Sequence, residues 1–268
     1  MIKKKVAIVG DSFIDRYCFG EVGRISPEAP VPVLDVKRTE IRSGGALNVA
    51  KNLFGLGILP SVFTIVDRKL AGEFPFNIQT PEDCVSLIKT RFVAQNQQLL
   101  RVDEPQVYRV EDLERLKYPT FSEFDIIAFV DYDKGVIRGG RATIIDTKKK
   151  DLSVFRGSQI LKINKKEYSE AINKDFPQAF ITQAENGINY YKDGEFKINE
   201  PAETREVIDI TGAGDTVMAI LIYCLVVGIT QPEKMMKLAN KAAGIVISRF
   251  GTSSITLEEL RNDDIVPK

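Results

Sequence analysis

The run Asp209-Ile210-Thr211-Gly212-Ala213-Gly214-Asp215-Thr216 decides how the rest of the chain reads, because a glycine-rich turn here delivers a carboxylate to the mouth of an apolar helix. The helix expected from it covers about residues 216–227, where Thr216 leads into Val217-Met218-Ala219-Ile220-Leu221-Ile222. A helix start of this kind favours anions: its first N–H groups have no intrahelical acceptor, and the helix dipole is positive there. The amides of Gly212, Ala213 and Gly214 are the candidate anion hole. Asp215 would then face the anion, which is electrostatically wasteful unless the carboxylate takes up a proton. The natural reading is a general base aimed at a hydroxyl that attacks a phosphoryl group. Taken alone, the same run is equally well a glycine turn with an aspartate helix cap.

Composition narrows the chemistry. The 268 residues, 44% of them hydrophobic, suit one large α/β domain with a small appendage, so residues 1–268 are read as a single domain. Lys and Arg together number 37, as do Asp and Glu, so no charge excess argues for nucleic acid or an anionic membrane surface as a partner. No apolar run reaches membrane-spanning length, and Met1 to Lys5 lead straight into a strand pattern rather than a signal peptide. Cys18, Cys84 and Cys224 lack metal-ligand spacing and read as reduced thiols of a cytoplasmic protein. Histidine is absent, which excludes Ser-His-Asp and Cys-His catalysis and histidine-ligated zinc. Carboxylates, lysines and backbone amides are left to carry the chemistry.

Runs rich in Val, Ile and Phe at 6–10, 61–66, 125–130, 142–146, 159–163 and 179–182 alternate with helical patterns, which predicts a mainly parallel sheet covered on both faces. A hairpin is expected over 188–198, because Asp193-Gly194 suits a type I′ turn. Pro232-Glu233 marks a helix start, Gly251 a stop, and Thr256 with Glu259 has capping-box spacing. Residues 31–41, with Pro30 and Pro32 at their start, and residues 89–103 break the βα rhythm and suit an antiparallel flap.

A second run, Gly44-Gly45-Ala46-Leu47-Asn48-Val49-Ala50, opens another helix, and its pairing with the Asp209–Thr216 run resembles the PfkB/ribokinase family of small-molecule kinases. Longer stretches resemble one branch, the D-glycero-β-D-manno-heptose-7-phosphate kinases. They are Gly10-Asp11-Ser12-Phe13-Ile14-Asp15-Arg16-Tyr17, the run from Arg24 to Val33, Lys89-Thr90-Arg91, Asn96-Gln97-Gln98-Leu99-Leu100-Arg101, Asp131-Tyr132-Asp133-Lys134-Gly135-Val136 and the run from Leu238 to Val246. The resemblance implies a ribokinase-like three-layer sandwich with a mainly parallel central sheet and a small β lid built from about residues 16–43 and 89–109. It also implies a homodimer formed through that lid.

The resemblance assigns roles residue by residue. Phosphoryl transfer passes through a loose transition state, so the protein mainly positions groups and supplies positive potential. Asp215 matches the family's catalytic base, with Gly212, Ala213 and Gly214 as its anion hole. Asp15 matches a carboxylate that binds sugar hydroxyls, and Gly44, Gly45 and Asn48 match groups that contact the sugar. Asn164 and Glu167 form an N-x-x-E pair that can hold the water shell of Mg²⁺ beside the ATP phosphates, although the same spacing is that of a capping residue. Asn240 and Gly251 match the adenine pocket, and Thr182 the nucleotide-facing turn. For a second anion site, Arg24, Gln97, Gln98, Arg101, Lys134 and Lys148 are candidates; Lys134 is favoured because its run follows the C-terminal end of a buried strand, where α/β sheets bind ligands.

The chain departs from the family pattern in places. Ala184 replaces a glycine, Asp133 a small residue, and the links over 135–142 and 71–89 are shorter. A parallel crossover usually takes a dozen or more residues, so an uncovered sheet face or an irregular turn is expected after Gly135. The nucleotidyltransferase domain of bifunctional relatives has no counterpart here, which implies a stand-alone kinase. The resemblance implies an ATP- and Mg²⁺-dependent enzyme converting D-glycero-D-manno-heptose 7-phosphate to the 1,7-bisphosphate, toward ADP-heptose for surface polysaccharide. A PfkB kinase of a plain sugar, ketose phosphate or nucleoside is the alternative; a silent binding module would be expected to lack Asp215 or an anion-hole glycine.

Overall fold

In the computed structural model, which describes residues 4–95, 97–104, 107–203, 206–261 and 265–266, the chain alternates strands and helices. The strands are β1 (Val6–Gly10), β2 (Ser12–Ile25), β3 (Pro32–Gly45), β4 (Ser61–Phe63), β5 (Asn77–Gln79), β6 (Leu87–Ala94), β7 (Gln97–Glu104), β8 (Ile126–Asp131), β9 (Ile144–Thr147), β10 (Ile160–Asn164), β11 (Gln178–Thr182), β12 (Ile188–Lys192) and β13 (Glu195–Glu200). The helices are α1 (Ala46–Gly55), α2 (Arg68–Ala71), α3 (Val110–Arg115), α4 (Lys165–Glu170), α5 (Ala213–Val227), α6 (Pro232–Ile247) and α7 (Leu257–Leu260).

Nine strands form one sheet in the order β13-β12-β11-β10-β9-β8-β1-β4-β5. The pairings from β11 through β5 are parallel, and β12 and β13 close one edge as an antiparallel hairpin. Side-chain alternation splits each central strand between two cores. Val6, Ile8, Ile126, Ala128 and Val130 join the α1, α5 and α6 side chains on one face. Ala7, Val9, Ile127 and Phe129 pack with Leu116, Leu152, Phe155 and Phe176 on the other. Helix α5 is buried from Asp215 through Cys224 because it lies between the sheet and its helical neighbours, which accounts for its apolar residues all round.

Helix α5 begins at Ala213, three residues ahead of the expected start, because Gly212 caps it in the left-handed conformation at φ 85°. Asp215 therefore sits inside the first helical turn. At its other end, Gly228 terminates α5 in the same left-handed conformation. Helix α6 starts with Pro232 as expected but ends at Ile247, ahead of Gly251. Thr256 and Glu259 make both bonds of a capping box.

The link from β8 to β9 contains no helix, and Gly135 and Gly140 turn it with φ of 112° and 123°. Tyr118 donates a 2.6 Å bond to the Val136 carbonyl, so the segment after α3 covers part of the sheet face. A cavity of about 900 Å³ remains there, lined by Val9, Ile127, Phe129, Leu113 and Leu116, with Arg138 and Arg141 at its edge.

The flap is a four-stranded sheet, β3-β2-β6-β7, with β2 and β6 parallel and the outer pairs antiparallel. Strands β2 and β3 run unbroken from the body, pairing Ser12 with Gly45 at the base and Ile25 with Pro32 at the tip. Asn96, Pro105 and Gln106 of the flap stretches, and Met1 to Lys3, lie outside the described residues. No helix among the described residues is long and apolar enough to cross a membrane.

Candidate active site

Asp215 is 2% exposed, and both its carboxylate oxygens are held. Asn48 Nδ2, on α1, donates to Oδ2 at 2.9 Å, and the Tyr132 hydroxyl, just past β8, donates to Oδ1 at 2.8 Å. Burial pushes the Asp215 carboxyl up to about 6 against the pull of these two bonds. That places its proton exchange near neutrality, where a general base is most effective. Behind the glycine turn, Lys162 of β10 and Asp146 of β9 form a buried 2.6 Å ion pair. The Lys162 ammonium stands 3.1 Å from where a Cβ on Gly214 would be, so Gly214 leaves room for a cation next to the turn.

The structure departs from the expected anion hole at one amide. The Ala213 N–H donates to the Ile210 carbonyl at 3.3 Å, while the first helical bond runs from Thr216 to Gly212 at 3.0 Å. Of the amides at this turn, those of Gly214 and Asp215 lie in the first helical turn, where there is no earlier helical carbonyl to accept from them.

Asp15 lies in β2, opposite Arg42 of β3 and Lys89 of β6, and its side chain is fully buried. Arg91 forms an ion pair with Asp15 Oδ1, and Oδ2 is buried without a hydrogen-bond partner among the described residues. Burial raises the Asp15 carboxyl above its usual value, with Arg91, Lys89 and Arg101 pulling it down. An orphaned buried carboxylate oxygen beside cations is a ready acceptor for a hydroxyl. Gly44 and Gly45 form the base of the lid; Gly45 has φ 64°, and a Cβ there would meet the Asp11 carbonyl oxygen at 2.3 Å. Asn48 donates one of its two amide hydrogens to Asp215, and its Oδ1 lies 3.4 Å from Asn52 Nδ2.

Asp11, at the end of β1, gathers the loop after β8. It accepts the N–H groups of Tyr132 at 2.8 Å, Lys134 at 3.0 Å and Val136 at 3.1 Å. Burial raises its carboxyl to about 6 despite these bonds. Lys134 thus enters the architecture through its backbone. Arg24 and Gln97 are exposed at the far end of the lid, with Arg24 paired to Val33 and Gln97 to Ala94, well along the strands from Asp15. They are not brought to Asp15 within one chain.

Asn164 and Glu167 form a reciprocal capping box at the start of α4: Asn164 Oδ1 accepts the Glu167 N–H at 2.8 Å, and Glu167 Oε2 accepts the Asn164 N–H at 3.3 Å. Lys148 reaches Glu167 Oε1 at 3.3 Å. Among the described residues no group of three or more His, Cys, Asp or Glu side chains converges to hold a metal. A lone carboxylate still fits Mg²⁺, which keeps most of its waters and takes one or two carboxylates. Thr182 ends β11 beside Asn164 in parallel register. Asn240 is buried and donates to the Glu200 and Pro201 carbonyls at 2.9 and 3.0 Å. Gly251 donates its N–H to Asp209 at 2.9 Å and adopts φ 69°.

Tyr132, Arg91, Lys89, Lys162 and Asp146 were not assigned roles from the sequence. Their signal was spatial: Lys89 and Arg91 reach Asp15 only through the register between β2 and β6.

A mainly parallel α/β sheet with Asp131, Asp146, Asn164 and Thr182 at or near the C-terminal ends of neighbouring strands, and a glycine turn with a buried carboxylate beside them, is the arrangement of a ribokinase-like fold. Residues 138–260, somewhat less than half of the chain, match the pfkB family carbohydrate kinase model. The chain is 33% identical to the bifunctional protein HldE of a Nitratiruptor species, over 97% of this chain and 64% of that protein. HldE of Pseudomonas aeruginosa is also 33% identical, over 96% of this chain and 63% of that protein. The chain thus spans less than two thirds of the length of these relatives. The Escherichia coli phosphofructokinase-2 structure shares the fold, with a TM-score of 0.74 at 14% identity over 97% of this chain and 98% of that one. So does Arabidopsis thaliana ribokinase complexed with ribose and ATP, with a TM-score of 0.71 at 16% identity over 97% of this chain and 98% of that one.

Proposed function

We propose that this chain is an ATP-dependent sugar-phosphate kinase that phosphorylates the anomeric hydroxyl of D-glycero-D-manno-heptose 7-phosphate. The observation that carries the kinase reading is Asp215, buried, oriented through both oxygens and set in the first turn of α5. The acceptor hydroxyl gives its proton to Asp215, its oxygen forms a bond to the γ-phosphorus of ATP, and the bond from that phosphorus to the bridging oxygen breaks, leaving ADP with the electron pair. The first-turn amides of α5 and the Lys162 ammonium supply positive potential to the transferring group. Asn164 and Glu167 would hold Mg²⁺ through its water shell, and the ion would neutralise charge on the ATP phosphates.

A phosphorylated sugar is favoured over a plain one by charge. Lys89, Arg91 and Arg101 surround Asp15, and Asp103 pairs with Arg101 at 2.9 Å. The three cations gather where a second anion would meet them, although Asp209 also acts on Arg91. Lys89 is partly buried, with its ammonium 3.3 Å from the Phe13 ring centroid, and burial lowers its pKa. A dianionic phosphate beside such a lysine would offset that lowering. The lid cluster supports this site better than Lys134, which does not figure among the main charges acting on Asp15.

The lid exposes Ile25, Val36, Ile41, Leu99 and Leu100. Those side chains and the free edges of β3 and β7 support a homodimer through paired lids. The three cysteines are free and buried, in keeping with a cytoplasmic enzyme acting on small molecules. The test is ADP release over a panel of sugars and their phosphate esters. Heptose 7-phosphate should be turned over far better than heptose, ribose or fructose. Equal kcat/KM for a sugar and its phosphate would overturn the substrate class and favour a plain-sugar kinase.

A further inference from the structure

Tyr132 is tied at both ends. Its N–H donates to Asp11 at 2.8 Å, and its hydroxyl donates to Asp215 Oδ1 at 2.8 Å. Its ring meets Phe13 edge-on, with centroids 5.1 Å apart at 80°, so the residue touches both the central sheet and the base of the lid. The Lys148 and Lys89 ammonium groups lie 4.8 and 5.8 Å from the ring centroid. Asn48 holds the other oxygen of Asp215. With one donor on each oxygen, the carboxylate cannot rotate, and a carboxylate oxygen accepts about two hydrogen bonds. Oδ1 therefore keeps one acceptor position for the hydroxyl that is to be phosphorylated.

We propose that Tyr132 is a positioning residue for phosphoryl transfer: its hydroxyl fixes the orientation of Asp215 and tunes its basicity, so that the base stays ionised when the acceptor hydroxyl arrives. This rests on the reading of Asp215 as the general base. The groups facing Asp215 come from four elements: Asn48 from α1, Tyr132 after β8, Asp146 from β9 and Lys162 from β10. Asp146 raises the Asp215 carboxyl and Lys162 lowers it; Tyr132 adds a donor that favours the charged form. Tyr132 cannot itself be the base, because burial, Asp215 and Asp146 hold its phenol well above the ordinary value. It remains a protonated donor throughout the working pH range. Asp15 also faces it, from β2.

The decisive variant is Tyr132→Phe, which removes the hydroxyl and leaves the ring contacts to Phe13 and the two lysines. A hydrogen bond to a charged group lost at the base should lower kcat about 10- to 100-fold. It should also raise the acid limb of the kcat/KM profile by about half to one pH unit, with KM for ATP and Tm close to wild type. Incorporating 3,5-difluorotyrosine at position 132, a stronger donor, should move the limb the other way. A purely structural role predicts a uniform loss at every pH with a lowered Tm and no displacement of the limb. An unmoved limb in both proteins overturns the proposal. Asp215→Asn, run alongside, separates the two levels. If Asp215→Asn turns over like wild type, the base reading falls and takes this proposal with it. If Asp215→Asn is inactive while Tyr132→Phe keeps the wild-type rate and limb, the proposal about Tyr132 alone fails.

Discussion

Replacing Arg91 by Met removes the partner of a carboxylate that has no access to water. The Asp15 side chain is 0% exposed and that of Arg91 12%. Removing one member of a buried pair costs about 3–5 kcal/mol, because the remaining charge stays desolvated. At about 2–4 °C per kcal/mol for a chain of roughly this size, Tm should fall by about 10 °C. The sign with pH follows from Asp15. Burial already raises its folded pKa, and losing Arg91 raises it further. A carboxyl with a raised folded pKa keeps a proton that the unfolded chain releases, so stability is lost as pH climbs from the unfolded value of about 4 through the folded value. The Tm deficit of Arg91→Met against wild type should therefore be smaller at pH 4.5 than at pH 8. Thermal unfolding at the two pH values measures it. Adding Asp15→Asn to the Arg91→Met chain should recover most of the loss at pH 8, since no charge is then stranded. A deficit equal at both pH values, or no recovery in the double variant, would refute the argument and leave Arg91 as a packing residue.

Wild-type kcat/KM should rise with pH and level off above about 6, because Asp215 must be unprotonated to accept the hydroxyl proton; a flat profile from pH 5 to 8 contradicts this. Gly212→Ala forces a side chain into φ 85° with its Cβ 2.9 Å from Asn48 Nδ2, so turnover should drop at least about tenfold along with Tm, measured by ADP release and unfolding. Lys89→Met should raise KM for the phosphorylated sugar about tenfold or more and leave KM for ATP nearly unchanged, as substrate-saturation curves will show. Leu100→Glu on the exposed lid face should shift sedimentation toward monomer; a wild-type chain that is already monomeric at micromolar concentration contradicts the lid dimer.

What was legible in the sequence was local or periodic. The β1 and β8 runs, the Asp193-Gly194 turn with φ of 51° and 79°, and the Thr256–Glu259 capping box depend on neighbouring residues alone, and they form as read. The missing helix between β8 and β9 could be read from length, and the irregular link and cavity follow from it. The lid was harder. Asp15, Arg16 and Glu21 interrupt any apolar alternation in β2, so its 14-residue extent is set by pairing with β3 and β6 rather than by its own pattern. The candidate site was legible where one motif contains it, as at Asp215. It was hidden where distant strands assemble it: Asp15 meets Lys89 across 74 positions of sequence, and Asn48 and Tyr132 converge on Asp215 from separate elements. The N-x-x-E pair shows the opposite limit, since its capping geometry satisfies Asn164 and Glu167 without any ligand.

The central claim is that Asp215 serves as the base of a kinase acting on a phosphorylated sugar. The most direct measurement is ADP release with heptose 7-phosphate by wild type and Asp215→Asn, with nucleotide binding measured on both by calorimetry. The account predicts turnover by wild type, a loss of about two to four orders of magnitude in the variant, and unchanged nucleotide affinity. Near-wild-type turnover by Asp215→Asn would contradict it and reduce Asp215 to a helix cap.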